Sequence, residues 1–201
     1  MSTPLPTPRL YFLTAKAAPI VVVLRRGPSK RYHVIKINTQ TAVMARGSWF
    51  TGRLYADDCD ISFDGEWLVY KALGATGAVW TGLCRSPWLK TYREWENVGT
   101  WNGGGFFASR TQLQVNVGSK MKVTQTARLP FDCQQDDTER NASGKIVRHD
   151  PRTARMLREG WRRLEPSQTS ARPRKKTDIP FGDPSEWVCQ PSQDHPSLHM
   201  V

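Results

Sequence analysis

Residues 31–41, R-Y-H-V-I-K-I-N-T-Q-T, set Tyr32, Val34 and Lys36 in alternation with His33, Ile35 and Ile37, then break into a polar turn. A period of two belongs to a strand whose two faces meet different surroundings. Residues 19–24 form an apolar run of one strand's length. I-S-F-D-G-E-W-L-V-Y (61–70) and L-Q-V-N-V-G-S-K-M-K-V (113–123) each read as strand, polar turn with Gly, strand. A-V-W-T-G-L-C-R-S-P-W-L (78–89) is less regular, and Pro87 marks an edge strand or a bend. The period changes after Asp150. Asp150 suits a helix N-cap and Pro151 the first helical position, and Leu157, Trp161 and Leu164 then fall at i, i+4 and i+7. A short helix is predicted over about 151–164, with Gly160 as its weak point.

The strand-forming part carries an internal match. Residues 47–56, G-S-W-F-T-G-R-L-Y-A, align with residues 99–108, G-T-W-N-G-G-G-F-F-A, at an offset of 52. Trp49 coincides with Trp101, and seven of the ten positions agree or nearly agree. Units of about fifty residues holding a few short strands resemble propeller blades. The expectation is a mainly β domain over 9–126, built of two blade-like repeats, about 19–72 and 73–126. Two blades do not close a ring, so the arrangement would be a partial propeller or an open sandwich. Residues 127–165 would add a loop and the short helix.

Between the strands, D-C-D-I-S-F-D-G-E (58–66) gathers four acids. Counted from Asp60, the spacing D-x-S-x-D-G follows the start of an EF-hand loop, but the twelfth position, which should be Glu, is Lys71. The flanks are strand-like. Asp64-Gly65 fits a tight turn, Gly supplying positive φ and Asp bonding to its own backbone. D-I-S-F-D-G-E-W-L-V-Y resembles the strand-turn-strand motif of TolB-type propeller repeats, with Phe63 where Pro is usual. R-R-G-P-S-K (25–30), G-S-W-F-T-G-R-L-Y (47–55), W-N-G-G-G-F-F (101–107) and L-R-E-G-W (157–161) extend the resemblance to a group of uncharacterised bacterial proteins, over about residues 9–165. It implies a β-rich, propeller-like domain and carries no activity.

Charge alters the picture more than composition does. The net charge is +11, and residues 1–50 hold eight Lys or Arg and no acid. Residues 51–150 balance at twelve of each, and 151–201 hold nine bases against six acids. Such asymmetry suits an anionic partner. Gly27-Pro28 predicts an exposed turn that would cluster Arg25, Arg26, Lys30 and Arg31, with Arg53 beyond, as the candidate surface for an anion or nucleic acid. Residues 166–201 are rich in Pro, Ser and bases and read as a flexible tail. No apolar run approaches membrane-spanning length, and the start lacks a signal-peptide pattern, so a cytoplasmic protein with reduced cysteines is expected.

Candidate chemistry is sparse. The glycines of 103–105 lack a phosphate-loop pattern and suit a close backbone crossing. The six tryptophans of 49–101 read mainly as packing residues rather than as a stacking platform. His33 reads as a half-buried strand residue. No nucleophile motif, metal spacing or cofactor signature is present, so no catalytic residue, metal or cofactor is assigned. The expected function is a non-catalytic interaction module for another protein, with sheet edges as a second place for association. Nucleic-acid binding through the basic hairpin and tail is the alternative, and an enzyme acting on a small ligand the third.

Overall fold

A computed structural model describes residues 8–28, 30–97, 99–118, 121–135, 139–140, 146–147, 150–163 and 187–189. The strands are β1 (Arg9–Thr14), β2 (Ile20–Arg26), β3 (Arg31–Asn38), β4 (Met44–Leu54), β5 (Asp60–Ile61), β6 (Trp67–Gly74), β7 (Val79–Arg85) and β8 (Thr91–Glu96). They continue with β9 (Gly105–Ser109), β10 (Gln112–Val115), β11 (Val123–Gln125), β12 (Asp132–Gln135), β13 (Glu139–Arg140) and β14 (Ile146–Val147). The helix α1 (Pro151–Arg158) precedes β15 (Trp161–Arg163) and β16 (Trp187–Cys189). The chain forms two compact units, Met1–Arg155 and Met156–Val201, and β15 and β16 pair antiparallel within the second.

The first unit is organised by one nine-stranded sheet, ordered β1-β2-β3-β4-β6-β7-β8-β11, with β5 also paired to β6. Every pairing in it is antiparallel, and the sheet curls into a half-barrel. A smaller sheet, β12-β10-β9, joins β10 to β9 antiparallel and to β12 parallel.

Alternation assigns the two cores. On β6, Leu68, Tyr70 and Ala72 join Leu13, Val22, Leu24, Val34 and Ile61 on one side of the curled sheet. Trp67 and Val69 point the other way and pack with Leu83, Trp95, Phe107, Leu113 and Val115. The smaller sheet supplies Phe107, Leu113 and Val115, so the middle of the large sheet is covered on both faces. Burying one such side chain contributes about 1.5–3 kcal/mol. β6 is therefore apolar at nearly every position, which the sequence shows as W-L-V-Y-K-A-L.

The exception on β6 is Lys71, only 4% exposed. Its ammonium donates to Asp58 Oδ2 at 2.9 Å and to the Thr100 carbonyl at 2.9 Å, and lies 4.7 Å from the Tyr55 ring centroid. A buried cation with two acceptors and a ring face is satisfied in place.

Several elements form where the sequence places them. Asp64 and Gly65 form the turn between β5 and β6. Asp64 Oδ1 accepts from Ser62 Oγ and from the Glu66 N–H, and Gly65 has φ +74°. The glycine run crosses close to other backbone, since a Cβ on Gly104 would collide with the Asp58 carbonyl. Pro87 sits in the bend after β7, behind a cis Ser86–Pro87 bond. Asp150 caps α1, its carboxylate accepting from the Arg152 N–H and the Thr153 hydroxyl.

Other features differ. The helix ends at Arg158 rather than near residue 164, because Gly160 takes φ +85° and its N–H bonds the Leu157 carbonyl, which closes a helix C-terminus. Trp161 consequently stands in β15, not on a helical stripe. The strand-turn-strand reading of 113–123 separates into β10 and β11, which belong to different sheets. Trp49 and Trp101 do not share surroundings: Trp49 is in β4 and 61% exposed, and Trp101 lies in the bend between β8 and β9 and is 81% exposed. The packing role foreseen for this pair falls instead to Trp67 and Trp95, which are buried. The expected tail lies outside the described residues except for β16.

Candidate binding site

The acid run does not converge. Asp57 approaches Arg152 at 3.7 Å, Asp58 pairs with Lys71, buried Asp60 accepts the Phe107 N–H at 2.9 Å, and Asp64 holds its turn. Burial raises the Asp57 and Asp58 carboxyls above the ordinary range, against the pull of Arg152 on the first and Lys71 on the second. Burial also acts on Asp64, but hydrogen bonds from Ser62 and the Glu66 N–H outweigh it and hold that carboxyl low. Among the described residues no three His, Cys, Asp or Glu side chains gather where they could hold a metal ion. Burial pushes the Cys59 thiol to about 12 and keeps Cys84 protonated as well, so neither is poised as a nucleophile.

The basic hairpin also divides. Gly27 N–H bonds the Arg31 carbonyl at 2.8 Å and Lys30 takes φ +57°, which sets the tip with Lys30 and Arg31 exposed. Arg26 and Arg53 both exert their charge on the buried Tyr32 hydroxyl, and Arg53 lies 4.7 Å over the Tyr55 ring. Arg25, one residue before Arg26 on a strand, takes the opposite face. The five bases foreseen as one surface therefore serve at least two.

The face that Arg25 joins is ordered by strand register. Three rows run across β1, β2, β3 and β4: Leu10-Arg25-His33-Trp49, then Phe12-Val23-Ile35-Arg46, then Thr14-Val21-Ile37-Met44. The alternate residues of the same strands, among them Leu13, Val22, Leu24, Tyr32 and Val34, fill the core beneath. On the row side Leu10 is 50%, Phe12 60%, Met44 53% and Trp49 61% exposed. Val43, beside Met44, is exposed too.

Within this face lies an open cleft of about 510 Å³, lined by Arg25, His33, Ile35, Met44, Arg46 and Trp49, with Gly47 at its wall. The His33 and Trp49 rings stack with centroids 4.3 Å apart and planes 2° from parallel. The β3–β4 register shifts between His33 and Ile35, so β4 bulges there. The loop after β7 pins the bulge: Ser48 N–H bonds the Pro87 carbonyl at 3.1 Å, and Leu89 N–H bonds Ser48 Oγ at 3.0 Å. Pro87 comes so close to Gly47 that any Cβ there would strike it. The Gly47 carbonyl accepts a hydrogen bond from His33. Burial lowers the His33 pKa, and the charges of Arg25 and Arg46 lower it further, so the ring is neutral at pH 7 and the cleft's charge resides in the two guanidiniums.

Arg25 and Trp49 had each been singled out in the sequence, for different reasons. Arg46 and Met44 had not, and His33 and Ile35 only as strand residues. The missing signal is the pairing register, which places residues 25, 33 and 49 side by side. No helix among the described residues is long and apolar enough to cross a membrane. No family model, no curated protein and no solved structure matches this chain.

Proposed function

We propose that this chain is a non-catalytic interaction module of the bacterial cytoplasm that binds another protein through the outer face of β1–β4. One observation carries the reading: the three cross-strand rows place Leu10, Phe12, Met44 and Trp49 together on a face that folding leaves exposed. Contiguous apolar surface of this kind marks interaction sites. The propeller-blade reading and the TolB-type resemblance rest on the sequence matches around 47–56, 60–70 and 99–108. The large sheet runs without interruption from β4 to β8, so the functional unit is the face rather than a blade.

Selection of displayed peptides against the full chain tests it. Selected peptides should lose about tenfold or more in affinity on Phe12→Ser or Met44→Ser, the loss typical of an anchor residue, and little on Val123→Ser in β11. Peptides that bind all three variants alike would end this reading.

A second reading has one observation of its own. Arg25 and Arg46 flank an exposed indole, an arrangement suited to a stacked base and its phosphate. Under that reading an oligonucleotide binds with an affinity that falls steeply with salt, and replacing Arg25 and Arg46 by Ala removes it. Salt-insensitive or unchanged binding would dispose of it.

A further inference from the structure

We infer that the partner of this face is an acidic polypeptide segment, one that sets a carboxylate between Arg25 and Arg46 and lays a planar side chain on Trp49. The inference rests on the interaction-face reading and names the chemistry of what that face takes.

Three features of the cleft lead there. Neither Arg25 nor Arg46 has an acidic partner among the described residues, and residues 1–50 contain no Asp or Glu to supply one. Two guanidiniums beside an apolar floor of Ile35 and Met44 attract an anion more strongly than the same pair in open water. Each can grip a carboxylate through two parallel N–H groups. Trp49, meanwhile, is stacked from one side among the described residues. His33 stacks on one face of the indole and is itself fixed by its bond to the Gly47 carbonyl. With 61% of the residue still exposed, the indole offers a rigid stacking surface that loses little side-chain entropy on binding.

The rest of the face decides between classes of anion. A nucleic-acid site needs many phosphate contacts and is markedly more basic than a protein interface. Here the two guanidiniums of the cleft, with exposed Arg31 at the hairpin end of the same face, stand beside Leu10, Phe12, Val21, Ile37 and Met44. Arg26, adjacent to Arg25 on β2, takes the opposite face, and Arg53 lies over the Tyr55 ring. A peptide carrying both acidic and apolar side chains matches this mixture. A polynucleotide does not.

The test uses the full chain and a short synthetic peptide repeating Asp-Phe-Asp-Ser, its twin with Asn for Asp, and an oligothymidylate. Binding is followed by fluorescence anisotropy. The Asp peptide should bind about tenfold more tightly than its Asn twin, the difference expected for one charge-assisted contact. Arg25→Gln with Arg46→Gln should abolish that difference with little change in melting temperature, since Arg46 is exposed and Arg25 half-buried, and Gln keeps much of each stem. Equal binding of the two peptides, or an Asp/Asn ratio that survives the double substitution, overturns the inference. If both peptides still lose affinity on Phe12→Ser, the interaction face stands without its acidic partner. Binding of the oligothymidylate alone, or of none of the three probes, overturns the acidic-partner inference and removes support for the face as well.

Discussion

Strands β6 and β7 and strands β1–β4 follow the same alternation rule and meet different fates. The first pair is covered twice, by one core on one side and by β9, β10 and β12 on the other, so apolar residues on either face are explained by packing. Among the described residues the first four strands are covered once. Their inner residues build the core, yet their outer residues are nearly as apolar. Packing accounts for Leu24 and Val34 but not for Phe12 and Met44. An apolar residue without a packing role that recurs across four strands is where function is to be sought.

The largest expected effect tests that contrast. Phe107→Ala, in the doubly covered region, should cost about 3–5 kcal/mol, because the fully buried ring packs edge-on against Phe131 and leaves a cavity behind. Phe12→Ser, on the open face, should stay within about 0.5 kcal/mol of the parent protein. Urea unfolding of the two variants decides it. A Phe12→Ser loss above about 2 kcal/mol would mean that the outer face is packed after all.

A smaller effect is expected where the two regions touch. Gly47 lies against Pro87, and its bulge opens the cleft between Arg46 and Trp49. Gly47→Ala must push the loop after β7 away, at about 1–3 kcal/mol, the usual cost of overpacking. It should also disturb the stacked pair, seen as a change in the near-ultraviolet circular dichroism that disappears when Trp49 is replaced by Phe in both proteins. A fully stable Gly47→Ala with unchanged indole signal would show that the loop does not set the cleft.

How much of this was legible in the sequence follows from the range of each interaction. The turn at Asp64-Gly65, the helix start at Asp150-Pro151 and the alternation of residues 32–37 depend on neighbours within a few positions, and they stand in the structure as read. The glycine run also announced a close crossing, although not that Asp58 would be the chain crossed. What the sequence could not carry was register. Arg25, His33 and Trp49 are eight and sixteen residues apart, and only the β2–β3 and β3–β4 pairings bring them together. The likeness of 47–56 to 99–108 is a property of the letters. In the fold one segment completes β4 and the other enters β9 through a bend: Gly103 takes positive φ where its counterpart Thr51 does not, whereas Gly52, the counterpart of Gly104, takes positive φ within β4 itself. The exposure of Trp49 follows from the same cause: a tryptophan on a strand is a core residue only if something covers that side.

The smallest effect concerns the proton. His33 is held neutral in the folded chain, its pKa lowered from 6.5 chiefly by burial beneath Trp49 and further by Arg25 and Arg46. The unfolded chain takes up its proton first on acidification. The contribution of this residue to stability is therefore intact above about pH 6.5 and is lost progressively as pH falls toward the lowered folded value. Asp57 and Asp58 act in the opposite sense. Their raised folded pKa values make their contribution greatest below the ordinary value of 3.8, with loss as pH rises through the raised range. Melting temperatures of the parent and of His33→Phe, compared between about pH 7.5 and pH 5.5, isolate the histidine, since phenylalanine can still stack on Trp49 but cannot titrate. The parent should fall relative to the variant as pH drops through the window. Parallel curves would mean that His33 is as free to protonate in the fold as outside it, and the buried, neutral support assigned to the indole would have to be abandoned.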